Sequence, residues 1–279
     1  LASRRFYNTP DESLVLTGVT GTNGKTTSVY CIDAMLRHLG HTTGMVGTIL
    51  YRVGAEERTA VNTTPESLDL MRLMDETRTA GGTHFTFEVS SHALALRRVS
   101  GLRFHTVLFT NLTRDHLDFH GTMEEYFAAK AELFQGAGGP PPQCAVINAD
   151  DAWGRQMTVP EGTRRLTYGL KNNADLRAES IDAGFYGLRF TVRHPGGRQR
   201  IESKLCGLIN VYNLLGAFGV GLSMGIDPEK VAEGLESCTA VPGRFERVDA
   251  GQPFLVVVDY AHTDDALRNT IATARALNP

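Results

Sequence analysis

Leu14-Val15-Leu16-Thr17-Gly18-Val19-Thr20-Gly21-Thr22-Asn23-Gly24-Lys25-Thr26-Thr27 is the stretch on which the fold turns. Its first six residues form a short apolar run ending around a glycine, as in a buried parallel strand. Apolar residues then recur with helical spacing over residues 25–39, and Gly40 supplies a C-terminal stop. The loop between them is of the phosphate-binding kind. Glycines let the backbone wrap tightly, so that consecutive N–H groups point inward at phosphate oxygens. The helix N-terminus adds partial positive charge, Lys25 adds a full one, and the Thr26 hydroxyl can ligate Mg²⁺. The generic pattern places a glycine five residues before the Gly-Lys pair, where this chain has Val19, and the glycines fall at 18 and 21 instead. A glycine-rich turn that merely joins strand to helix is the competing reading. Gly-Lys-Thr-Thr in a strand–loop–helix context favours nucleotide binding over it.

Working outward, strand-like runs occur at residues 44–50, 85–89, 107–110 and 144–148, and helical patterns at 65–79, 93–99 and 123–134. This alternation predicts an α/β fold, a mostly parallel sheet flanked by helices. Residues 136–142 are a Gly/Pro-rich loop rather than a linker, because a strand-like run follows at once. Residues 177–194 read as a β-hairpin with Gly184 and Gly187 near its turn, and helices are expected at 211–223 and 228–237. A further buried strand at 254–259 leads into a helix from about residue 264. A boundary placed at Val241-Pro242-Gly243 divides the chain into a central P-loop domain, 1–241, whose residues 1–12 are the tail of a linker, and the start of a Rossmann-like α/β domain, 242–279.

The chain has 279 residues, of which 28 are Lys or Arg and 31 are Asp or Glu, for a formal net charge of -3. Such a balance, with no long basic run, gives no reason to expect nucleic acid or an anionic membrane as a partner. No apolar stretch is long enough to span a bilayer, and Leu1-Ala2-Ser3-Arg4-Arg5 is not the start of a signal peptide. Cys31, Cys144, Cys206 and Cys238 are far apart, without a Cys-x-x-Cys pair, and read as reduced, mostly buried thiols in a cytoplasmic protein. Opening on Leu1 and stopping inside a helical pattern at Asn278-Pro279, the sequence reads as a piece of a longer protein.

Several further segments, taken in order with the phosphate loop, carry a resemblance. They are Asn62-Thr63-Thr64-Pro65-Glu66-Ser67, Glu88-Val89-Ser90-Ser91-His92-Ala93-Leu94, the stretch from Thr110-Asn111-Leu112-Thr113-Arg114-Asp115-His116 through Leu117-Asp118-Phe119-His120-Gly121-Thr122, and Ala128-Ala129-Lys130. Later come Gly207-Leu208-Ile209-Asn210-Val211-Tyr212-Asn213, Pro242-Gly243-Arg244-Phe245-Glu246 and Asp259-Tyr260-Ala261-His262-Thr263. The chain resembles the Mur ligases along nearly its whole length, and most of all their tripeptide-forming branch. The resemblance implies three domains, of which the uridine-binding one would precede Leu1. It also implies ATP-dependent joining of a diamino acid to UDP-MurNAc-L-Ala-D-Glu through an acyl phosphate, in a monomeric bacterial cytoplasmic enzyme. Acceptor recognition would lie beyond Pro279, so meso-diaminopimelate is favoured over L-lysine only as the commoner choice.

Site residues follow from the same resemblance. Gly21, Thr22, Asn23, Gly24, Lys25, Thr26 and Thr27 would hold ATP phosphates. Asn210 and Asn213 would contact the adenine, with helix N-capping as the plainer reading, and Arg244 and Asp259 would approach the nucleotide across an inter-domain seam. Asn62, Thr63, Thr64, Ser90 and Arg98 would grip the precursor. Two Mg²⁺ ions are implied, with Thr26, Glu88, His116 and Lys130 as ligands. Lys130 would serve after CO₂ converts it to a carbamate, a change that needs a neutral amine and hence a depressed pKa; read alone, it is a solvated surface lysine. Lys25, His116 and Lys130 are the expected catalytic groups. A zinc site at His116 and His120 is rejected, because no Glu follows the first histidine and Gly121 breaks the helix. Where the family has proline after His262-Thr263, this chain has Asp264, which also suits a first helical turn. The rivals are a ligase of the folylpolyglutamate synthase type, a P-loop kinase or switch, and an ATP-binding fragment without turnover.

Overall fold

A computed structural model describes residues 2–184, 186–262 and 264–277. Its strands are β1 (Val15–Thr20), β2 (Thr43–Val46), β3 (Leu50–Val53), β4 (Glu56–Thr59), β5 (His84–Glu88), β6 (Thr106–Phe109), β7 (Cys144–Asn148), β8 (Arg164–Gly169), β9 (Leu176–Gly184), β10 (Gly187–His194), β11 (Gly197–Ser203), β12 (Glu246–Val248) and β13 (Val256–Val258). The helices are α1 (Ala2–Phe6), α2 (Lys25–His38), α3 (Ser67–Thr79), α4 (Ser91–Ala95), α5 (Leu117–His120), α6 (Met123–Ala131), α7 (Leu208–Ser223), α8 (Pro228–Glu236) and α9 (Asp264–Ala276).

The first eleven strands form one sheet in the order β11-β10-β9-β8-β7-β6-β1-β5-β2-β3-β4. From β9 across to β2 every pairing is parallel, and each flank ends in antiparallel strands, β10-β11 on one side and β3-β4 on the other. The parallel strands are apolar on both faces because both faces are covered. Along β6, Val107 and Phe109 point into one core with Phe85, Phe87 and the α3 residues Leu70 and Met74. Leu108 points into the opposite core with Ile32 and Met35 of α2 and Leu214 and Phe218 of α7. Alternate side chains therefore feed two cores from a single strand.

The expected strand at residues 44–50 is instead two strands. β2 stops at Val46, the chain turns through Gly47, and β3 begins at Leu50, antiparallel to β2. Gly47 N–H donating to the Leu50 carbonyl at 3.2 Å closes that turn. Apolar character runs straight through the turn, so the pattern alone does not reveal it. The strands β4, β8, β11 and β12 likewise lacked a distinct sequence signal. The expected helix at 93–99 runs instead over Ser91–Ala95, and Arg97 takes a left-handed backbone with φ 57°.

The strand expected to be buried at 254–259 forms as β13 but is not buried, with Val256 37% and Val258 49% exposed. It pairs only with β12 in a two-stranded ribbon. Two strands and α9 cannot enclose a core on both sides. Thr263, a member of the last resembling segment, lies outside the described residues. All four cysteines are buried thiols outside any disulfide. Among the described residues, no helix is long and apolar enough to cross a membrane.

Candidate active site

Parallel strands place their C-terminal ends along one rim, where ligands gather in open α/β sheets. The loop after β1, Glu88 at the end of β5 and the segment after β6 all lie there. Gly24 starts α2 with φ 86°, and a Cβ on it would stand 2.4 Å from Asn213 Oδ1. Gly21 has φ 146°, and a Cβ there would stand 1.9 Å from Thr110 Oγ. These two glycines are required by both backbone and space.

The loop is stitched to the segment after β6. Thr22 N–H donates to the Asn111 carbonyl at 2.8 Å and Asn23 N–H to Asn111 Oδ1 at 3.0 Å. Thr110 Oγ and Asn111 Nδ2 donate back to the Asn23 carbonyl at 2.7 and 3.0 Å. Thr113 N–H donates to Thr22 Oγ at 3.0 Å. The expectation that a continuous run of loop amides faces phosphate is corrected here, because the amides of Thr22 and Asn23 serve the loop's own anchoring. Those of the first α2 turn, at Lys25, Thr26 and Thr27, have no intrahelical acceptor and remain for an anion.

Two lysines converge on one oxygen. Lys25 Nζ donates to the Gly21 carbonyl at 3.0 Å and to the Thr22 carbonyl at 2.8 Å, while Lys130 Nζ donates to the same Gly21 carbonyl at 2.9 Å. Lys130 is only 1% exposed, against the surface position that its Ala-rich helix suggested. Its Nζ also lies 4.6 Å from the centre of the Tyr126 ring. Burial pushes the Lys130 ammonium well below its ordinary range, and the charge on Lys25 pushes it the same way. Desolvation lowers Lys25 too.

Glu88 is 1% exposed and held by Thr48, whose N–H donates to Oε1 at 2.8 Å and whose hydroxyl donates to Oε2 at 3.2 Å. Of the precursor candidates, Thr64 Oγ donates to the Glu88 carbonyl at 2.7 Å and accepts from Ser90 N–H at 3.0 Å. Thr63 Oγ lies 3.1 Å from Thr48 Oγ. Asn62 is exposed, with its backbone pinned by the Tyr51 hydroxyl. Ser90 caps α4 by accepting from Ala93 N–H at 3.1 Å. Arg98 braces the loop from below, through the Thr64 carbonyl at 2.9 Å and Glu66 at 2.6 Å.

Asn210 and Asn213 are not helix caps, since Gly207 holds the N-cap of α7. They are buried one turn further in, with Asn213 Nδ2 donating to Asn210 Oδ1 at 2.8 Å and Asn210 Nδ2 to the Cys206 carbonyl at 2.7 Å. Arg244 Nη2 donates to Thr26 Oγ at 3.1 Å. Asp259 accepts from the N–H groups of Phe245 and Ala261, at 2.6 and 2.8 Å.

A single cavity of about 340 Å³ brings most of these groups together. Thr22 to Thr27, Thr63, Glu88, Ser90, His116, Asn210, Asn213, Arg244 and Asp259 line it, whereas Asn62, Thr64, Arg98 and Lys130 do not. Among the described residues, no cluster of three or more His, Cys, Asp and Glu side chains could hold a metal by itself. Mg²⁺ asks for less, taking one or two carboxylates and completing its shell with phosphate oxygens and water. The Thr26 hydroxyl and the Glu88 carboxylate, which both line the cavity, fit that demand.

A family model described as the Mur ligase middle domain matches residues 19–221.

The chain belongs to the Mur ligase family.

The chain is 61% identical over 279 residues to the UDP-N-acetylmuramoyl-L-alanyl-D-glutamate–2,6-diaminopimelate ligase of Solibacter usitatus, a match covering 100% of the chain and 56% of the relative. A solved UDP-N-acetylmuramoyl-L-alanyl-D-glutamate–2,6-diaminopimelate ligase superposes with a TM-score of 0.84 at 31% identity, covering 98% of this chain and 57% of that one. An L. casei FPGS shares the fold alone, with a TM-score of 0.74 at 17% identity over 99% of this chain and 74% of that one. The chain thus spans 56% of the length of the first of these relatives. The sequence of this family member gave no sign of the contacts made by Thr48, Asn111 and Tyr126. Asn111 lay inside a resembling segment, but its bonds to the phosphate loop join residues 88 positions apart and leave no local pattern.

Proposed function

We propose that the chain is the ATP-handling part of a ligase that joins a diamino acid, meso-diaminopimelate by preference, to UDP-MurNAc-L-Ala-D-Glu in the bacterial cytoplasm. The observation that carries this reading is the shared cavity, which the phosphate loop and Glu88 line together with Thr63, Ser90, Arg244 and Asp259. Phosphoryl transfer is chiefly a matter of positioning and of neutralising charge on the group in flight. An ATP γ-phosphate laid on the α2 N-terminus would face Lys25, and a precursor carboxylate held near Thr63 and Ser90 would face the γ-phosphate. The carboxylate oxygen attacks phosphorus and ADP leaves, giving an acyl phosphate. The incoming amine attacks the acyl carbon, the tetrahedral intermediate collapses, a proton is lost from nitrogen, and phosphate departs with its bonding electron pair.

Thr26 and Glu88 would hold Mg²⁺, which neutralises phosphate charge and orients the γ-phosphate. His116, which lines the same cavity, and Lys130 as a carbamate are the ligands proposed for a second ion. Support for the carbamate comes from the two lysines on the Gly21 carbonyl. Two ammonium groups on one buried acceptor repel, and a neutral Lys130 amine relieves that and is the form whose nitrogen can attack the CO₂ carbon, losing a proton to give the carbamate. Asn210 and Asn213 would meet the adenine beside Gly24. Residues from 242 onward would begin the domain that brings Arg244 and Asp259 over the nucleotide.

The test is phosphate release by the intact gene product with ATP, Mg²⁺ and UDP-MurNAc-L-Ala-D-Glu, with meso-diaminopimelate or L-lysine in parallel. Release that needs the precursor together with one diamino acid is the expected result and names the acceptor. ATP binding without release in either arm would overturn the assignment and move a folate-type carboxylate forward.

A further inference from the structure

We propose that Thr48 is a positioning residue that fixes the Glu88 carboxylate and the precursor loop in register with one another; this rests on the roles proposed for Glu88 and Thr63. Thr48 sits in the turn between β2 and β3, half-buried on the cavity wall. Its N–H and its hydroxyl take the two Glu88 oxygens separately, at 2.8 and 3.2 Å. A hydroxyl has a single proton. With that proton committed to Glu88, the 3.1 Å contact with Thr63 Oγ is one in which Thr63 donates to Thr48. A directed chain of hydrogen bonds therefore runs from Thr63 through Thr48 to Glu88, and such chains strengthen each member.

The turn is shaped for this contact. A Cβ at Gly47 would stand 2.6 Å from Glu88 Oε1, so a side chain there would push the carboxylate from the position in which the next N–H reaches it. The far side is tied as well. The Tyr51 hydroxyl donates to the Asn62 carbonyl at 2.6 Å and accepts from Asn62 N–H at 2.9 Å, holding β3 to the strand of chain that carries Thr63. Glu88 keeps lone pairs for a cation while its carboxylate plane is set by Thr48. A side chain locked this way presents its ligand atoms without a search among rotamers.

The experiment compares Thr48→Val, which removes the hydroxyl but keeps the branched shape and the N–H, with Thr48→Ser, which keeps the hydroxyl. Thr63→Ala is the control for the underlying reading. The intact gene product is used throughout. Calorimetric binding of UDP-MurNAc-L-Ala-D-Glu without ATP, the Mg²⁺ concentration for half-maximal turnover, and the thermal midpoint are measured for each. Expected for Thr48→Val is about tenfold weaker precursor binding together with a several-fold higher Mg²⁺ requirement, at an unchanged thermal midpoint. Thr48→Ser should restore both to within about twofold. If Thr63→Ala weakens precursor binding while Thr48→Val matches the wild type, Thr48 has no positioning role. Equal impairment of the Val and Ser variants also overturns it, since the hydroxyl would then not be the operative group. Unaltered binding by Thr63→Ala would sink the reading of the precursor loop itself, and this inference with it.

Discussion

Arg244 and Thr26 are 218 positions apart in the chain, yet the guanidinium Nη2 lies 3.1 Å from the threonine hydroxyl oxygen. That oxygen is the one proposed to ligate Mg²⁺ from the phosphate loop. If Mg²⁺ and ATP bind as proposed, repulsion between the metal ion and the guanidinium at that oxygen would turn Arg244 away from Thr26 and towards the phosphate chain. The guanidinium also stacks 5.1 Å from the Tyr260 ring, which limits where it can go.

Arg244→Ala should therefore weaken ATP binding by about tenfold to a hundredfold, the range for loss of a charge-assisted contact to phosphate. Nucleotide titration by calorimetry in the presence of Mg²⁺ measures it. Tighter binding by the variant would mean that Arg244 acts only as a competitor at Thr26.

Lys130→Arg keeps a cation at the Gly21 carbonyl but presents a group that stays protonated and does not take up CO₂. Turnover should fall by about a thousandfold, corresponding to about 4 kcal/mol of transition-state stabilisation. Phosphate release checks the rate. A ¹³C-carbonyl resonance from labelled bicarbonate, present in the parent and absent from the variant, checks the cause.

Arg52 of β3 and Asp33 of α2 form a buried ion pair, with Thr43 donating to the other Asp33 oxygen at 2.6 Å and Glu57 paired to the far side of the guanidinium. Burial raises the Asp33 carboxyl against the opposing pull of Arg52. Arg52→Met alone should cost about 3–5 kcal/mol, because it strands a buried charge, whereas Asp33→Leu combined with Arg52→Met should recover much of that. Urea unfolding of the two variants decides it, and equal losses would show that the pair is replaceable one partner at a time.

His84 sits at the opposite rim from the cavity, its ring 4.4 Å from that of His41. Burial lowers its pKa from 6.5 to about 4, with His41 and His105 acting in the same direction. The folded state thus resists a proton that the unfolded chain accepts. Stability is intact above the unfolded value and is lost as pH falls from about 6.5 to about 4, by on the order of 2 kcal/mol after screening is allowed for. Thermal midpoints of His84→Asn should show a flatter acid limb over that window than the parent. Parallel curves would place the acid sensitivity elsewhere.

The parallel heart of the fold was legible because both its faces are buried. Runs such as Cys144-Ala145-Val146-Ile147 are apolar throughout and stand between glycines, prolines and helical patterns. The flanking hairpins were not, since β4 carries Glu56, Glu57 and Arg58 on an exposed edge, where charge protects against pairing but erases the strand signal. In the site, the phosphate loop could be read from its own sequence. The environment of Lys130 could not, because its burial is made by Tyr126 and the Gly21 carbonyl, and the latter lies 109 positions away. For Asn210 and Asn213 the local pattern suggested helix capping as the plainer reading, whereas Gly207 holds the cap and the two amides are buried partners within the helix.

Gly24 and Asn213 fit as tooth and notch, the amide oxygen occupying the space that any side chain at 24 would need. A larger residue at 24 demands a smaller one at 213, yet its left-handed backbone would still oppose the exchange. A smaller residue at 213 would therefore clear the space without opening position 24, and a mutational library should find 24 closed to side chains whatever stands at 213.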